Sequence, residues 1–152
     1  MNSRKRVIIL EDNLADTKLY EVVLDKYDTD LDISFYLNGA IFKNAFKDID
    51  SLKEIDLLIL DLNMPKINGL EVLQFIRQQL KLPNLPIIIF SSSEHQKDIE
   101  SAYNLGADAY VVKPIDFEQF EQNLEGIINH WVYKSFHSMD SIQPIPQFSL
   151  YA

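Results

Sequence analysis

Acidic, hydroxyl and basic side chains follow four short apolar runs of the sequence, at the points where the runs end. They are Glu11-Asp12, Asp61, Ser91-Ser92-Ser93 and Lys113. If the runs are parallel strands, these groups meet at the sheet edge where open α/β sheets bind ligands. Three carboxylates cannot share a small site in ionised form without a counter-charge. Mg²⁺, which prefers oxygen ligands, would supply that charge, and Lys113 would be a point charge for a phosphoryl group.

Each of these residues alone also has a purely structural interpretation. Glu11 and Asp12 would stabilise the positive end of a following helix, and Lys113 would be a solvated surface lysine. Neither interpretation explains why five suitable groups occur together at four strand ends. The combination favours a functional site.

The apolar runs themselves predict the strands of the sheet. Val7–Leu10, Leu57–Leu60, Ile87–Phe90 and Ala109–Val112 are continuous apolar segments, which are typical of strands buried on both faces. Leu31–Leu37 instead alternates apolar and polar residues, which predicts a half-exposed strand at a sheet edge.

Apolar residues at helical spacing follow each strand and predict five helices. The segments are Ala15–Val23, Phe42–Ile49, Gly69–Leu80, Ile99–Tyr103 and Phe117–Trp131. Parallel strands need such crossovers, and right-handed crossovers place helices on both faces of a doubly wound sheet. The pattern stops near Lys134. We therefore predict a domain over residues 5–133 and a C-terminal extension over residues 134–152.

The composition limits the classes of protein that the chain could be. Its 152 residues suit one domain, and its net charge of −9 argues against binding nucleic acid. No apolar run is long enough for a signal peptide or a membrane span. The absence of cysteine fits a reducing compartment. We expect a cytoplasmic protein that binds neither nucleic acid nor membranes.

Four motifs, in order and at these distances, resemble the receiver domain of bacterial two-component response regulators over roughly residues 5–131. They are Val7-Ile8-Ile9-Leu10-Glu11-Asp12-Asn13, Leu60-Asp61-Leu62-Asn63-Met64-Pro65 with Gly69, Phe90-Ser91-Ser92, and Tyr110-Val111-Val112-Lys113-Pro114. The resemblance is to stand-alone, chemotaxis-regulator-like receivers. It implies a flavodoxin-like α/β fold whose five-stranded parallel sheet has the order 2-1-3-4-5.

The resemblance assigns a phosphoacceptor and a metal site. Asp61 matches the phosphorylated aspartate, and Glu11 and Asp12 match the acidic pair that holds Mg²⁺. Asp61 itself and the backbone carbonyl of Asn63 would complete the protein ligands. Glutamate stands at position 11 where aspartate is commoner in the family, which lengthens the reach to the metal.

The resemblance also assigns residues that contact the phosphoryl group and respond to it. Ser91 matches the hydroxyl that hydrogen-bonds the phosphoryl group, although threonine is commoner there, and Lys113 matches its cationic partner. Tyr110 matches an aromatic side chain that changes rotamer together with Ser91 on activation. Pro114 matches a position where the family has a cis peptide.

By the resemblance, the protein accepts a phosphoryl group from a histidine kinase or phosphotransfer protein and signals through a changed surface. It would assist its own phosphorylation and dephosphorylation without being an enzyme in the usual sense. A homodimer through the fourth helix, fifth strand and fifth helix is one form of output. The kinase, the output partner and the lifetime of the phosphorylated state stay open.

Three other functions are alternatives to that of a phosphoacceptor. A nucleotide-binding protein needs donors in its first turn, where Glu11-Asp12 would repel phosphate. A haloacid-dehalogenase-type phosphatase needs an Asp-x-Asp pair, which Glu11-Asp12-Asn13 does not offer. A phosphorylation-independent interaction module of the same fold is the remaining alternative.

Overall fold

Five parallel strands form one sheet in the computed structural model, which describes residues 4–134. In chain order the elements are β1 (Lys5–Leu10), α1 (Leu14–Leu24), β2 (Leu31–Tyr36), α2 (Gly39–Ala45), α3 (Ile49–Lys53), β3 (Leu57–Leu60), α4 (Gly69–Gln74), β4 (Ile87–Ser91), α5 (Gln96–Asn104), β5 (Ala109–Val112) and α6 (Phe117–Trp131). The predicted C-terminal extension lies outside the described residues, apart from its first residue.

The strands lie in the order β2-β1-β3-β4-β5, which confirms the predicted topology. β2 is at one edge and is only partly buried, as its alternating pattern predicts. β1, β3 and β4 are interior strands, and nearly all of their residues are buried. The sequences of such strands are mostly continuous apolar runs because both faces of the strand are covered.

Successive residues of each strand point to opposite faces of the sheet, which creates two hydrophobic cores. Ile8 and Leu10 of β1 belong to the core beneath α2, α3, α4 and α5. Val7 and Ile9 belong to the opposite core, which Tyr20 of α1 and Leu124 of α6 help to fill. The predicted doubly wound sheet with helices on both faces is therefore confirmed.

The segment Phe42–Ile49, predicted as one helix, is divided between α2 and α3. Phe46 leaves the helical conformation, with φ −120° and ψ 67°. The Asp48 carboxylate then accepts a hydrogen bond from the backbone N–H of Ser51 at 2.9 Å and begins a new helix. A local cap thus competes with continuation of the helix.

Two further details concern the ends of helices. The predicted third helix continues beyond α4 as a π-helical turn over Phe75–Gln79. Phe117, predicted on the apolar stripe of the last helix, is 41% exposed at the start of α6.

Within residues 4–134, no helix is both long and apolar enough to span a bilayer.

Candidate functional site

The hydrogen bonds of the sheet continue into the residues that follow the strands. The backbone N–H of Asp61 donates to the carbonyl of Leu10 at 3.1 Å, and that of Lys113 donates to Ser91 at 2.8 Å. Leu10 of β1 and Leu60 of β3 are register partners, so Glu11 and Asp61 follow neighbouring strands. The sheet itself thereby brings the predicted site residues to one edge.

The loop after β3 fixes the orientation of Asp61. The backbone N–H of Asn63 donates to Oδ1 of Asp61 at 3.0 Å, and that of Gly69 donates to the carbonyl of Leu62 at 3.3 Å. A Cβ at position 69 would lie 2.3 Å from the carbonyl oxygen of Asp61. Glycine is required there because the first residue of α4 approaches the backbone of Asp61 so closely.

Three of the predicted carboxylates form a cluster that fits a hard cation. One oxygen each of Glu11, Asp12 and Asp61 lies within 4.8 Å of the others. Glu11 is fully buried and Asp61 is 7% exposed. Carboxylate oxygens at this spacing suit Mg²⁺ and chemically similar divalent ions.

Lys113 lies inside this cluster rather than in solvent, because its side chain is only 8% exposed. Its ammonium donates to the carboxylates of Glu11 and Asp61, in the latter case at 2.8 Å. Burial favours the neutral amine and lowers the pKa of Lys113. The charges of Asp61 and Glu11 outweigh that effect, so its pKa is raised above the ordinary value. Lys113 is therefore a permanent cation at the site.

The buried position of Glu11 affects its own protonation. Burial raises the pKa of Glu11 from its ordinary 4.5 to about 7, although the ammonium of Lys113 opposes the change. The charge of Asp61 acts in the same direction as burial. Because burial disfavours the ionised form of Glu11, a bound cation would stabilise its carboxylate in place of a proton.

Asp16 is a partner of Lys113 that the sequence analysis missed, and it lies outside the cluster of three acids. Its Oδ2 accepts a hydrogen bond from the ammonium of Lys113 at 3.0 Å. The amide oxygen of Asn13 caps α1 by accepting from Ala15 and Asp16. Only a partial signal was present, because an N-cap at Asn13 places Asp16 in the first turn of α1 but does not give the direction of its side chain.

The predicted switch residues lie together between β4, β5 and α5. Ser91 is fully buried, and its hydroxyl accepts a hydrogen bond from the N–H of Ser93 at 3.3 Å. The Tyr110 ring is also fully buried, and its hydroxyl donates to the carbonyl of Ser93 at 2.8 Å. The Ser93 hydroxyl donates to Asp98 of α5 at 2.6 Å. Burial raises the pKa of Tyr110, so the hydroxyl keeps its proton.

The expectation of a cis peptide before Pro114 is wrong. No peptide bond among residues 4–134 is cis. The trans form is the intrinsically favoured one for an X–Pro bond, by about 0.5–1 kcal/mol.

The strand order, the acidic cluster and the buried lysine at the carboxyl edge together define a receiver-type α/β domain. Comparison with known families agrees. The profile of the family described as "Response regulator receiver domain" matches residues 7–125, and the chain belongs to this family.

Relatives of the chain include stand-alone response regulators. Response regulator Rcp1 of Synechocystis sp. is 27% identical over 134 residues, which cover 86% of this chain and 91% of Rcp1. The crystal structure of the phosphorylated cyanobacterial phytochrome response regulator RcpA is similar with a TM-score of 0.78 and 28% identity. That match covers 88% of this chain and 97% of RcpA. The Mn²⁺-bound form of Rcp1 is similar with a TM-score of 0.74 and 26% identity, over 84% of this chain and 94% of Rcp1.

Proposed function

We propose that this response regulator accepts a phosphoryl group on the carboxylate of Asp61 from the phosphohistidine of a histidine kinase or phosphotransfer protein. The observation that carries the proposal is the position of that carboxylate. It lies in a cluster of acids, oriented by the N–H of Asn63 and 2.8 Å from the ammonium of Lys113.

In the proposed reaction, a carboxylate oxygen of Asp61 attacks phosphorus. The new O–P bond forms as the P–N bond to the donor histidine breaks, and the imidazole nitrogen keeps the electron pair. Phosphoryl transfer requires mainly positioning and charge stabilisation from the protein. Lys113 is proposed to pair with the negative oxygens, and the Ser91 hydroxyl is proposed to donate a hydrogen bond to one of them.

Glu11, Asp12, Asp61 and the backbone carbonyl of Asn63 are the groups proposed to hold Mg²⁺. When bound, the ion supplies positive charge beside the phosphoryl oxygens, which the single ammonium of Lys113 cannot balance alone. A Mn²⁺-bound structure of the relative Rcp1 supports a divalent metal in this family.

The same site is proposed to assist loss of the phosphoryl group to water. Water attacks phosphorus, the O–P bond to Asp61 breaks and inorganic phosphate leaves. Asn63 and Ser93 lie on the loops after β3 and β4, and we expect their side chains to tune the lifetime of the acyl phosphate. The protein is in this sense a phosphoacceptor that assists its own reactions.

The proposed output is a changed surface made by α5, β5 and α6. A phosphoryl group that draws the Ser91 hydroxyl towards it would disturb the contacts from Ser91 to Ser93, and from Ser93 to Tyr110 and Asp98. We propose that the buried ring of Tyr110 is one of two positions whose populations phosphorylation changes. The surface would then form a homodimer or bind a partner in the cytoplasm.

Phosphoramidate provides a test, because it carries the same type of P–N bond as phosphohistidine. With Mg²⁺, intact-mass spectrometry should find one added phosphoryl group on the wild-type protein. Asp61→Asn should stay unlabelled, as should the wild type with a chelator in place of Mg²⁺. Asp50→Asn, at an exposed acid of α3, should be labelled like the wild type.

Equal labelling of Asp61→Asn would refute the assignment. No labelling of the wild type, either by phosphoramidate or by a phosphorylated phosphotransfer protein, would favour the alternative of a phosphorylation-independent interaction module.

A further inference from the structure

Asp16 differs from the other partners of Lys113 because it lies outside the acidic group that could share a metal. The ammonium has three N–H donors, and they go to Glu11, Asp61 and Asp16. Glu11 and Asp61 have ligand oxygens within 4.8 Å of one another, in a group that does not include Asp16. Among residues 4–134, Asp16 is thus the lysine partner that a metal would leave free.

A divalent cation and Lys113 would use the same two carboxylates, Glu11 and Asp61. A cation bound there would weaken the attraction of those carboxylates for the ammonium, and its charge would repel Lys113. A long lysine side chain without an acceptor would turn towards water. The carboxylate of Asp16, 3.0 Å from the ammonium and 30% exposed, is the acceptor that remains.

The position of Asp16 is fixed before any cation displaces Lys113 from Glu11 and Asp61. Its backbone N–H donates to the amide oxygen of Asn13 at 3.2 Å in the cap of α1. That cap fixes the first turn of α1, in which the Asp16 carboxylate already contacts the Lys113 ammonium.

We propose that Asp16 is a positioning residue that keeps the Lys113 ammonium at the site when a divalent cation displaces it from Glu11 and Asp61. The inference deepens the proposed function and rests on it in one respect, that Lys113 must stay beside the metal to meet a phosphoryl group. It also explains why a third acid contacts a lysine that two acids already neutralise.

NMR of the Lys113 ammonium tests the proposal with Mg²⁺ alone and without any phosphoryl donor. A buried ammonium held by hydrogen bonds exchanges its protons slowly and gives a signal, which Lys113→Met identifies by its loss. Mg²⁺ should shift the signal of the wild type but leave it visible. In Asp16→Asn the signal should be visible without Mg²⁺ and lost with it, and Mg²⁺ should bind roughly three- to tenfold more weakly.

Two variants separate this role from a general effect of charge. Asp16→Glu keeps the carboxylate and should restore the signal in the presence of Mg²⁺. Glu21→Gln removes an exposed acid from the same helix and should behave like the wild type.

Three results would overturn the proposal. They are a wild-type signal that Mg²⁺ does not shift, an Asp16→Asn signal that persists with Mg²⁺, and an Asp16→Asn signal that is absent even without Mg²⁺. The phosphorylation test is independent of all three, so either idea can fail while the other stands.

Discussion

Replacing Gly69 by alanine tests whether the start of α4 holds the backbone of Asp61 in place. A Cβ at this position would lie 2.3 Å from the Asp61 carbonyl oxygen and 3.0 Å from the Asp61 carbonyl carbon. Real Cβ contacts are essentially never shorter than 3.0 Å. The backbone of α4 or of Asp61 must therefore move by at least 0.7 Å, the difference between 3.0 and 2.3 Å.

The sign of the change in the free energy of unfolding of Gly69→Ala shows whether the clash occurs. Gly69 is the first residue of α4, after the Asn68 cap, and its φ is not positive. Without a clash, alanine there would stabilise the protein by about 0.4–1 kcal/mol, because it restricts the unfolded chain. The close contact with backbone atoms instead predicts an overpacking cost of about 1–3 kcal/mol. We expect a net loss of roughly 1–2 kcal/mol.

Urea unfolding followed by circular dichroism measures this change. With a slope of about 2 kcal/mol per molar urea, the midpoint of Gly69→Ala should fall by roughly 0.5–1 M. Phosphorylation by phosphoramidate should slow by about 10–100-fold because the nucleophile is displaced. Gln74→Ala, on the exposed face of α4, should change the stability by less than about 0.5 kcal/mol. If Gly69→Ala is instead stabilised and is phosphorylated at the wild-type rate, the start of α4 does not hold the backbone of Asp61 in place.

Three further predictions concern the charges of the site and the response to phosphorylation. Lys113→Ala should slow phosphorylation by at least about tenfold while the circular dichroism spectrum stays native, and an unchanged rate would show that the lysine is not used. Because the pKa of Glu11 is raised to about 7, calorimetry should find Mg²⁺ affinity falling as the pH drops below 7. The free energy of unfolding without metal should change in the opposite direction. Between pH 4.5 and 7 the folded protein binds a proton at Glu11 that the unfolded chain does not, so stability should fall as the pH rises through that range. A flat pH profile of Mg²⁺ affinity would contradict the shift. Beryllofluoride should cause NMR shifts that spread from the site to Tyr110 and Ile99, and much smaller ones in Ser91→Ala. Shifts confined to the site in both proteins would mean that the switch is absent.

The sheet was predictable because each interior strand contains a short run of apolar residues. Val7–Leu10 and Leu57–Leu60 are covered on both faces, and each ends directly at the acids that form the site. The alternation of Leu31–Leu37 likewise marked β2 as an edge strand, which it is. In this fold the strand ends and the site are the same positions, so finding one located the other.

The local features that escaped prediction depend on competition between nearby hydrogen bonds. Phe42, Phe46 and Ile49 keep helical spacing, yet the Asp48 cap restarts the helix between them. Asp16 could not be assigned because its contact with Lys113 depends on how α1 leaves β1. Spacing along the chain does not give the direction in which a first-turn side chain points.

Reductive trapping will show whether Asp61 carries the phosphoryl group as an acyl phosphate. Borohydride reduces an aspartyl phosphate to homoserine, which survives digestion and is located by sequencing the peptides in a mass spectrometer. After phosphorylation with Mg²⁺ present, we expect homoserine at position 61, with Asp12 and Asp16 unchanged. Homoserine at either of those positions, or at no position in a protein that has gained a phosphoryl group, would rule out an acyl phosphate at Asp61.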